Sequence, residues 1–531
     1  MAYIEKVYID GYKKFNDYCV EFNKEMNVLI GENESGKSTI INAIDLVINQ
    51  RYFEIMNSEQ IFNKNKLNKF KNNPIYNNLP EILIEIFINF DDENKLLKQD
   101  FMGLLYKNSK EQKCGISFAY RFDSDFEQDF KNIDFSVNTI LPIELYKLEW
   151  KTFQGSTYKK RKNPLKSLLI DNSLSRHDIY GSYAKQIFES RIDDKYQRQL
   201  SYKLKQHFNE FLDEENKILS FGNQTIGIDE KKSSIEKLID IKEDNISIQN
   251  MGKGKENLVK TEVALQTEAN LIMIEEPENH LSHTNTRKLI EEIKKHSNNL
   301  QMIISSHNPL VISRLNLKNT IWINETTAVS FNNLSKEVSD FFLKADNLFI
   351  LEFILSSKVI LVEGATEYIY IPEFYKKIFE SSIDKSGIHV ISMSGITYKN
   401  FVEIGKMLEK KILIITDNDG NQERIDEIKK CNEEFKHMGI NINIKCCNSV
   451  EEYTFEKVLY EENKELLDGL FQNSRVSLDY KKVKLESKAL ACMLKQKTNS
   501  AMKIISDDVV MANLEVPKYI KEGIEWLERL Y

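Results

Sequence analysis

Short apolar runs that end in polar or glycine-containing turns recur along the chain and predict a fold of the α/β class. Uncharged runs of this kind are typical of strands buried on both faces of a sheet. The segment EILIEIFINF instead alternates apolar and polar residues and predicts a half-buried strand at 81–90. The uninterrupted runs lie at 26–30, 271–274, 302–304, 359–362 and 412–415.

Helical patterns follow or separate these predicted strands. The segment IINAIDLVI at 40–48 predicts a helix that starts near Ser38. Residues 175–217 contain no proline, are rich in Lys, Gln, Glu and Leu, and also predict helices. Because they show no sustained heptad, two interpretations stay open: a compact helical dimerisation element, or a pair of helices packed on the core.

The bulk composition restricts the class of protein. The chain has 531 residues, of which 41% are hydrophobic and 29% charged, as expected for a globular protein of two or three domains. It contains no uncharged apolar run of about 18 residues and no signal-peptide pattern, so we expect no membrane association. Its six cysteines form no C-x-x-C pair, which favours a reducing, cytoplasmic environment.

Charge is distributed unevenly along the chain. The formal net charge of −8 argues against a surface that is basic throughout. Local basic stretches lie at 158–162 and at 475–503, and each fits a phosphate-binding track and a solvated surface equally well. Their role therefore depends on what lies beside them in the fold.

The sequence GENESGKST at 31–39 predicts a phosphate-binding loop. It fits the pattern G-x-x-x-x-G-K-[ST] and lies between a predicted strand and a predicted helix. Backbone N–H groups in such a loop, together with the helix N-terminus, attract phosphate oxygens. The predicted ATP contacts are Lys37 to the β- and γ-phosphates, Ser38 to Mg²⁺, and Asn33, Gly36 and Thr39 along the loop.

Two further strands end in polar residues that suit the same site. One run ends at Glu275 and Glu276, which can hold Mg²⁺ and orient or deprotonate an attacking water. The next run is followed by His307, which can reach a γ-phosphate. Because ligands of open α/β sheets bind beyond the carboxyl ends of strands, these side chains are expected beside the phosphate-binding loop. A glycine-containing turn at 249–257 precedes a helical stretch and is a weaker candidate.

The order and spacing of these segments resemble ABC-type ATPases of the SMC and RecF kind. In that family the head dimerises, and the signature motif of one subunit contacts the nucleotide bound by the other. The chain departs from the pattern because Glu275 replaces the usual aspartate and the signature lacks its serine, which leaves the rate of hydrolysis open. The implied roles are Walker A for Lys37 and Ser38, the Walker B metal position for Glu275, the catalytic glutamate for Glu276, the switch histidine for His307, the signature glycines for Gly252 and Gly254, and the Q-loop for Gln60.

A second group of carboxylates follows two predicted strands in the C-terminal half. Glu363 ends the run at 359–362, and Glu367 lies four residues later at the start of a predicted helix. Asp417 and Asp419 follow the next run and lie on one face, being two residues apart. Four carboxylates at neighbouring strand ends repel one another unless a cation joins them, and they suit Mg²⁺ or Mn²⁺.

This second group resembles the Toprim domain of topoisomerases, primases and some nucleases. The chain leaves no room for the tyrosine-bearing domain of topoisomerases and lacks the C-x-x-C pair of a primase zinc ribbon. A chain with an ABC-type head followed by Toprim is identified as a member of the overcoming-lysogenisation-defect (OLD) nuclease family. That resemblance implies a further metal ligand in a T-x-E segment, Glu456, and a catalytic lysine that heads K-x-x-x-A, Lys497, although Thr498 stands where the family has glycine.

The sequence and the resemblance together predict an α/β protein with four segments. An ABC-type ATPase part with Walker A is expected at 1–150 and a helical dimerisation insertion at 151–245. The second ATPase part, with signature, Walker B and switch histidine, is expected at 246–345. A Rossmann-like Toprim nuclease domain with a helical C-terminal end is expected at 346–531.

The OLD resemblance implies a nucleotide-regulated endonuclease that nicks or cleaves DNA with two metal ions. It implies ATP and Mg²⁺ or Mn²⁺ as cofactors, a homodimer or higher oligomer, and a cytoplasmic role in phage defence, as in Gabija or retron systems, with a further protein or nucleic-acid partner. The alternatives are a RecF-like DNA-maintenance ATPase, a nucleotide-binding scaffold with a non-cleaving Toprim module, and a Toprim nuclease that acts on RNA. The implied roles are metal ligand and general base for Glu363, ligands of one ion for Asp417 and Asp419, ligands of the other for Glu367 and Glu456, and charge neutralisation for Lys497.

Overall fold

The computed structural model describes residues 2–529 apart from several short segments, and the chain forms two compact units. The first unit comprises 1–333 with 339–346, and the second comprises 334–338 with 347–531. The segments outside the description are 52–57, 92–94, 108–109, 137–138, 172–178, 216–219, 222–223, 226–234, 236–237, 298–299, 346–348, 394–396 and 481–482.

The first unit contains an antiparallel sheet and a mostly parallel sheet. The antiparallel sheet has the order β2-β1-β4-β6-β5, with β7 also paired to β6. The second sheet has the order β16-β15-β3-β14-β13-β8, in which only β16 runs antiparallel to its neighbour. The strands are β1 (Ala2–Asp10), β2 (Tyr18–Glu21), β3 (Met26–Ile30), β4 (Ile82–Phe90), β5 (Met102–Gly103), β6 (Lys113–Phe122), β7 (Tyr146–Thr152), β8 (Ser167–Asp171), β9 (Ser220–Phe221), β10 (Gln224–Thr225), β11 (Lys242–Glu243), β12 (Ile246–Ser247), β13 (Leu271–Glu275), β14 (Gln301–Ser305), β15 (Thr320–Ile323) and β16 (Ala328–Ser330).

The three strands that the apolar runs predict in this unit lie side by side in the parallel sheet. β3, β13 and β14 are buried along their whole length, as uninterrupted apolar runs require. Their parallel direction brings their carboxyl ends to one edge of the sheet. The alternating segment forms β4, whose pattern of buried and half-buried residues confirms the prediction for 81–90.

Helices cover the sheets of the first unit. The helix after the phosphate-binding loop starts at Lys37 and buries its apolar residues, such as Ile40, Ile44 and Val47, against the strands. The helices are Lys37–Asn49, Lys64–Asn72, Lys95–Phe101, Glu127–Lys131, Ile179–Arg191, Asp194–Glu214, Lys253–Leu265, His283–His296 and Pro309–Arg314, while Lys336–Ala345 spans the border between the units.

The predicted start of the helical insertion at residue 151 differs from the structure. β7 continues to Thr152 in the antiparallel sheet, and β8 is the edge strand of the parallel sheet beside β13. The strand is short and follows a lysine-rich stretch, so its two buried residues, Leu168 and Ile170, do not form a strong local pattern. Only its pairing with β13 identifies it. The described helices of the insertion begin after it, at Ile179.

The second unit is built on a small parallel sheet with the order β18-β17-β19-β20. β17 and β19 are the two runs that precede the predicted metal ligands, and both are fully buried. Val362 and Ile415 are in register, so the residues that follow them leave the sheet side by side. The strands are β17 (Lys358–Val362), β18 (Ile388–Ser392), β19 (Lys411–Ile415), β20 (Ile442–Lys445), β21 (Asp479–Tyr480) and β22 (Val483–Lys484).

The C-terminal end of this unit is helical, as the sequence predicts. The apolar sides of the last helices share one core with the sheet, in which Leu413, Leu459 and Ile524 are fully buried. No helix in the described part of the chain is long and apolar enough to cross a bilayer. The helices are Phe349–Leu355, Ala365–Phe379, Tyr398–Met407, Gln422–His437, Phe455–Glu462, Lys464–Phe471, Lys488–Lys495, Lys497–Ile505, Asp508–Asn513 and Lys518–Glu528.

Candidate functional site

The phosphate-binding loop holds its lysine in a closed, desolvated position. The Lys37 ammonium donates hydrogen bonds to the carbonyl oxygens of Gly31 and Glu32, each at 3.0 Å. Burial lowers the pKa of Lys37, and the nearby carboxylates Glu276 and Glu278 oppose that shift. The two loop carbonyls therefore accept the hydrogen bonds that the Lys37 ammonium would donate to phosphate oxygens of a bound nucleotide.

Glycine is required where the loop turns into the helix. Gly36 has a φ of +105°, and a Cβ at this position would lie 2.3 Å from the ring of Phe15. At the first glycine of the motif, Gly31, a Cβ would lie 2.4 Å from the carbonyl oxygen of Ile323. The motif thus reflects both backbone conformation and close packing.

A cavity of about 750 Å³ opens over this loop. Its walls include most of the predicted nucleotide contacts and also residues that the sequence did not identify. The additional residues outside the loop are Lys14 and residues 322–325, at the end of β15 and directly after it. Both segments lie beside the phosphate-binding loop in the fold. The lining residues are Lys14, Glu32, Asn33, Glu34, Ser35, Gly36, Lys37, Ser38, Thr39, Glu276, Trp322, Ile323, Asn324 and Glu325.

Glu275 lies at the carboxyl end of β13 and is buried. Its pKa is raised to about 7, mainly by burial and also by the neighbouring charges of Asp171 and Glu276, against a hydrogen bond with Ser38 that acts to lower it. The structure therefore brings together the two residues predicted to share a nucleotide-bound Mg²⁺. A buried carboxylate beside like charges is suited to a cation.

Glu276, Glu278 and His307 form a compact cluster beside the loop. One ligand atom from each lies within 4.8 Å of the others, and among the described residues no other group of three acidic, His or Cys side chains meets that limit. His307 Nδ1 lies 2.5 Å from Glu276 Oε2. Glu276 itself has a φ of +47°, which turns the chain directly after β13.

Glu278 was not identified from the sequence. Its Oε1 accepts hydrogen bonds from the Ser306 hydroxyl at 2.5 Å and from the His307 backbone N–H at 3.3 Å. Burial raises its pKa. Glu278 thereby fixes the turn after β14 to the turn after β13 and positions His307 beside Glu276. The E-P-E spacing in the sequence was the only local signal for this residue.

The remaining predicted nucleotide residues lie apart from the cavity lining. Gly252 caps the N-terminus of the helix Lys253–Leu265, and a Cβ there would meet open space. At Gly254 a Cβ would lie 2.6 Å from the His280 carbonyl oxygen, so this glycine allows the helix to pack on the turn after β13. Gln60 is exposed in a short 3-10 turn and is not among the residues that line the cavity.

In the second unit, Glu363 lies at the end of β17 and is held from the neighbouring strand. Its Oε2 accepts hydrogen bonds from the Thr416 hydroxyl at 2.8 Å and from the Asp417 backbone N–H at 3.0 Å. The register of β17 and β19 explains these hydrogen bonds, because Glu363 and Thr416 directly follow the paired residues Val362 and Ile415. Glu363 is therefore fixed at the sheet edge where the sequence predicted it.

Three further predicted ligands, the buried Glu367 and Glu456 and the half-buried Asp417, form an acidic group beside Glu363. Glu367 and Glu456 occupy the first turns of their helices, and Asp417 accepts a hydrogen bond from the Phe455 backbone N–H at 2.8 Å. Burial and, after it, the charges of Glu367, Glu363 and Glu456 together raise the pKa of Asp417 to about 8. Burial, followed by the charge of Glu456, raises the pKa of Glu367 to about 7.

Two side-chain cations face these carboxylates. Lys497 Nζ lies 2.9 and 3.0 Å from the two oxygens of Glu456. Arg424, which the sequence analysis missed, forms an ion pair with Asp419, donates to the Thr416 hydroxyl at 2.9 Å and lies 3.8 Å from Glu363. Arg424 follows the D-x-D pair by a single helical turn, and only its direction in the fold shows that it reaches the site.

The donor set of the second unit fits a divalent cation. Oxygen ligands are the ones that Mg²⁺ and Mn²⁺ prefer, and burial, together with the neighbouring carboxylates, raises the pKa values of Glu367 and Asp417. Glu363 and Asp419 are turned towards Arg424 and Glu456 towards Lys497, so the ligand atoms do not converge as closely as in the first unit.

The loop that carries Asp417 and Asp419 is fixed by the residue between them. The buried Asn418 amide donates to the carbonyl oxygens of Cys447 at 3.0 Å and Ser449 at 2.8 Å. Asp419 adopts a φ of +51°, which directs its side chain away from the strand. Asn418 was not identified from the sequence because its partners lie about 30 residues away.

Part of the predicted phosphate track at 475–503 has partners within the chain. Lys488, Lys495 and Lys503 donate to the carbonyl oxygens of Gln472, Ser477 and Leu470, each at 2.8–3.0 Å. Two of these carbonyls lie at the C-terminal end of the helix Lys464–Phe471, where cations are favourable. These lysines thus stabilise the helical end, and residues 481–482 of the stretch lie outside the described part of the chain.

Two family models match parts of the chain. A family model described as an AAA domain, putative AbiEii toxin, Type IV TA system matches residues 26–313. A second model, described as the TOPRIM domain of overcoming lysogenization defect protein-like proteins, matches residues 354–419. A search of curated proteins found no match.

Three solved structures illustrate the structural neighbours. The SMC head domain from Thermotoga maritima has a TM-score of 0.30 and 14% identity, covering 62% of this chain and 98% of its own. The recombination mediator RecF with ATPrS has a TM-score of 0.32 and 11% identity, covering 62% and 97%. The C-terminal region of the Burkholderia pseudomallei OLD protein has a TM-score of 0.23 and 16% identity, covering 33% and 97%.

The first family model spans more than half of the chain and contains the phosphate-binding loop, Glu275, Glu276 and His307. The second contains the strands that carry Glu363 and Asp417. The chain therefore belongs to this AAA-domain family and, through the Toprim domain that follows, is an ATPase–Toprim protein of the OLD family.

Proposed function

We propose that the protein is a metal-dependent endonuclease whose access to DNA is controlled by ATP. The observation that carries the proposal is the acidic group of Glu363, Glu367, Asp417 and Glu456, which lies at one sheet edge with Lys497 beside it. Glu367 and Glu456 are buried, and four carboxylates face only two side-chain cations, which is costly for the fold alone. A role in binding cations and a phosphodiester accounts for that cost.

The proposed chemistry is hydrolysis of a phosphodiester. Mg²⁺ or Mn²⁺ held by Glu363, Glu367, Asp417, Asp419 and Glu456 would supply Lewis acidity and a water of lowered pKa. The hydrogen bonds from Thr416 and Asp417 N–H occupy one oxygen of Glu363 and leave the other, Oε1, for a ligand or for a proton from water.

The cations of the site would act on the phosphate. The ammonium of Lys497 is nearly half exposed, so it can turn from Glu456 towards an incoming anion. Its pKa stays above the usual value although burial acts to lower it, because Glu456 holds the charged form. The charged ammonium would offset negative charge that grows on the phosphoryl oxygens. The guanidinium of Arg424 suits the same task from the Asp419 side.

We propose that the first unit is the nucleotide switch. The cavity of about 750 Å³ suits ATP, with Lys37 exchanging its two loop carbonyls for phosphate oxygens. Glu276 would orient the attacking water, and His307 would sense the γ-phosphate. Gly252 and Gly254 would contact the nucleotide of the other subunit when two heads close, which is compatible with their place outside the cavity lining.

The biological setting follows from the family resemblance. We propose a cytoplasmic homodimer that acts on DNA as an effector of phage defence, together with a further protein or nucleic-acid partner. Regulation would operate through different affinities of ATP for two arrangements of the heads. We propose that residues 246–345 belong to the ATPase and residues 346–531 to the nuclease. The first ATPase segment, predicted at 1–150, would extend to Asp171, because β8 pairs with β13 in the ATPase sheet.

The proposal is tested by nicking of supercoiled plasmid DNA in Mg²⁺, in Mn²⁺ and in EDTA, each with and without ATP. Wild type should nick only with metal, and Glu363→Gln should remove nicking. Glu433→Gln, an exposed Glu on the helix Gln422–His437, is the matched control and should keep wild-type activity. Parallel reactions with labelled RNA show whether the enzyme cleaves RNA as well as DNA. Nicking by Glu363→Gln equal to wild type would contradict the proposal.

A further inference from the structure

A buried hydroxyl in the second unit, that of Tyr370, is left without a hydrogen bond. The side chain is 1% exposed, and within the described part of the chain its hydroxyl has no hydrogen-bond partner. Such groups are uncommon, because a buried hydroxyl that gives up its bonds to water without replacing them destabilises the fold. The cost is explained if the hydroxyl gains a partner when the protein binds a ligand.

Tyr370 lies beside the residues predicted to bind metal. It belongs to the helix Ala365–Phe379 and follows Glu367 by three residues, so the two side chains share one face of that helix. Its ring centroid lies 5.3 Å from that of Phe455, the residue directly before Glu456. The ring is therefore held by packing between two segments that each carry a predicted metal ligand.

The carboxylate of Glu456 is the acceptor that suits this hydroxyl. Burial, followed by the charge of Glu456, raises the pKa of Tyr370, so the hydroxyl keeps its proton and remains a donor. Glu456 is 2% exposed, and its two oxygens lie 2.9 and 3.0 Å from the Lys497 ammonium. Donor and acceptor are thus neighbours that do not bond while Lys497 holds the carboxylate.

We propose that Tyr370 is a positioning residue whose hydroxyl donates a hydrogen bond to Glu456 when Glu456 binds a divalent cation and Lys497 turns to the phosphate. The inference rests on the proposed function, in which Glu456 is a metal ligand. Carboxylates that bind metal are commonly held by a hydrogen bond from a second group, which fixes their orientation. The hydroxyl would replace the contact with Lys497, so the buried carboxylate stays satisfied while the ammonium is released.

The first test compares the stability and the metal affinity of Tyr370→Phe in the full-length protein. In EDTA its melting temperature should equal or exceed that of wild type, because the change removes an unpaired buried hydroxyl. Its affinity for Mn²⁺ at the second unit, followed by electron paramagnetic resonance without nucleic acid, should fall about tenfold, as for loss of a hydrogen bond to a metal ligand. A lower melting temperature with unchanged Mn²⁺ affinity would show a purely structural role and overturn the proposal.

The same helix provides a matched control, Tyr375→Phe. The Tyr375 hydroxyl donates to Glu528 at 2.6 Å, and Glu528 also pairs with Lys358 at the start of β17, whereas the predicted metal ligands follow the end of that strand. Because this substitution removes a hydrogen bond that exists without metal, it should lower the melting temperature by a few degrees. Mn²⁺ affinity should stay at the wild-type value, so the two substitutions should have opposite patterns.

A second test asks whether Tyr370 acts through Glu456. When Glu456→Ala is already present, Tyr370→Phe should cause no further loss of Mn²⁺ affinity, because the hydroxyl has no carboxylate to hold. An equal loss in both backgrounds, or wild-type Mn²⁺ affinity in Tyr370→Phe alone, would overturn this inference but leave metal-dependent nicking by the wild type intact. Wild-type protein that binds no Mn²⁺ at the second unit would contradict the proposed function as well.

Discussion

The two candidate sites hold charges of opposite sign by different means. In the first unit the critical cation, Lys37, is held by backbone carbonyls of its own loop. In the second unit the critical anions, Asp419 and Glu456, are held by the side chains of Arg424 and Lys497. For Lys37 and Glu456, which are buried, groups of the chain thereby satisfy a charge that would otherwise be left desolvated, which is costly.

Because the two sites hold their charges differently, they should respond differently to substitution, pH and metal. The backbone carbonyls around Lys37 cannot titrate, and the conformation of Gly36 fixes the loop, so the first site depends on a few residue identities. The acidic group of the second unit contains carboxyls with raised pKa values, so it depends on pH and on metal as well. Substitution should affect the two units separately, whereas pH should affect both, because burial also raises the pKa of Glu275 in the first unit to about 7.

The largest effect is expected at Asp417, because the charges of Glu367, Glu363 and Glu456 all raise the pKa of its carboxyl. Asp417→Asn keeps the hydrogen bond from the Phe455 N–H but removes a charged ligand. Plasmid nicking should fall about a thousandfold, while ATP binding measured by calorimetry should stay unchanged. Loss of ATP binding in this variant would contradict the claim that the two sites function independently.

A smaller effect is expected from Lys37→Ala, which removes the cation of the loop. ATP affinity measured by calorimetry should fall about a hundredfold, because charge-assisted hydrogen bonds to phosphate are lost. Binding of Mn²⁺ to the second unit, followed by electron paramagnetic resonance, should be unaffected. Lys69→Ala, an exposed lysine of the same unit, is the matched control and should keep wild-type affinity.

The third prediction concerns pH and stability without metal. The pKa values of Asp417 and Glu367, about 8 and about 7, lie above the usual values, so the folded chain keeps protons that the unfolded chain has already released. The contribution of these groups is therefore greatest below about pH 4 and is lost as pH rises through 7 and 8. Melting in EDTA should occur at lower temperature at pH 8.5 than at pH 6.

Metal should change that pH dependence, since Mg²⁺ binds the deprotonated carboxylates. The rise in melting temperature on adding Mg²⁺ should be larger at pH 8.5 than at pH 6. Asp417→Asn isolates the contribution from other titrating groups, and it should reduce the pH dependence seen in EDTA. An identical pH dependence in wild type and variant would show that the acidic group does not control stability.

The smallest effect is expected from Arg424→Gln. This change releases Asp419 and Glu363 from the guanidinium, so Mn²⁺ should bind about threefold more tightly, as expected for a half-exposed ion pair. Nicking at saturating metal should nevertheless decrease, because a cation beside the phosphate is lost. Arg529→Gln, at an exposed pair with Glu525, is the control. Weaker metal binding in Arg424→Gln would mean that the guanidinium supports the ligands.

Much of the fold was predictable because its strands are short apolar runs that end in chemically distinctive residues. The runs at 26–30, 359–362 and 412–415 form β3, β17 and β19 as predicted. β8 was missed because a five-residue edge strand has no strong pattern of its own. Its place is decided by hydrogen bonds to β13, which the sequence does not display.

The sites show the same limit. Local patterns identified residues at strand ends, such as Glu275 and Glu363, and Lys37 in the loop that follows β3, because strand ends are where α/β sheets bind ligands. The supporting residues Glu278 and Arg424 were missed, since each is an ordinary charged residue of a turn or helix. Their roles arise from contacts with segments far along the chain or on the next strand.

The sequence by itself determined the two classes of site, a phosphate-binding loop and a group of carboxylates, because each requires particular residue types at fixed local spacing. It also determined the strands that carry them. Only the tertiary structure decided which charges meet: Lys37 with its own loop carbonyls, Glu456 with Lys497, and Asp419 with Arg424. Electrostatic pairing depends on distances of a few ångströms across the fold, and spacing along the chain does not encode them.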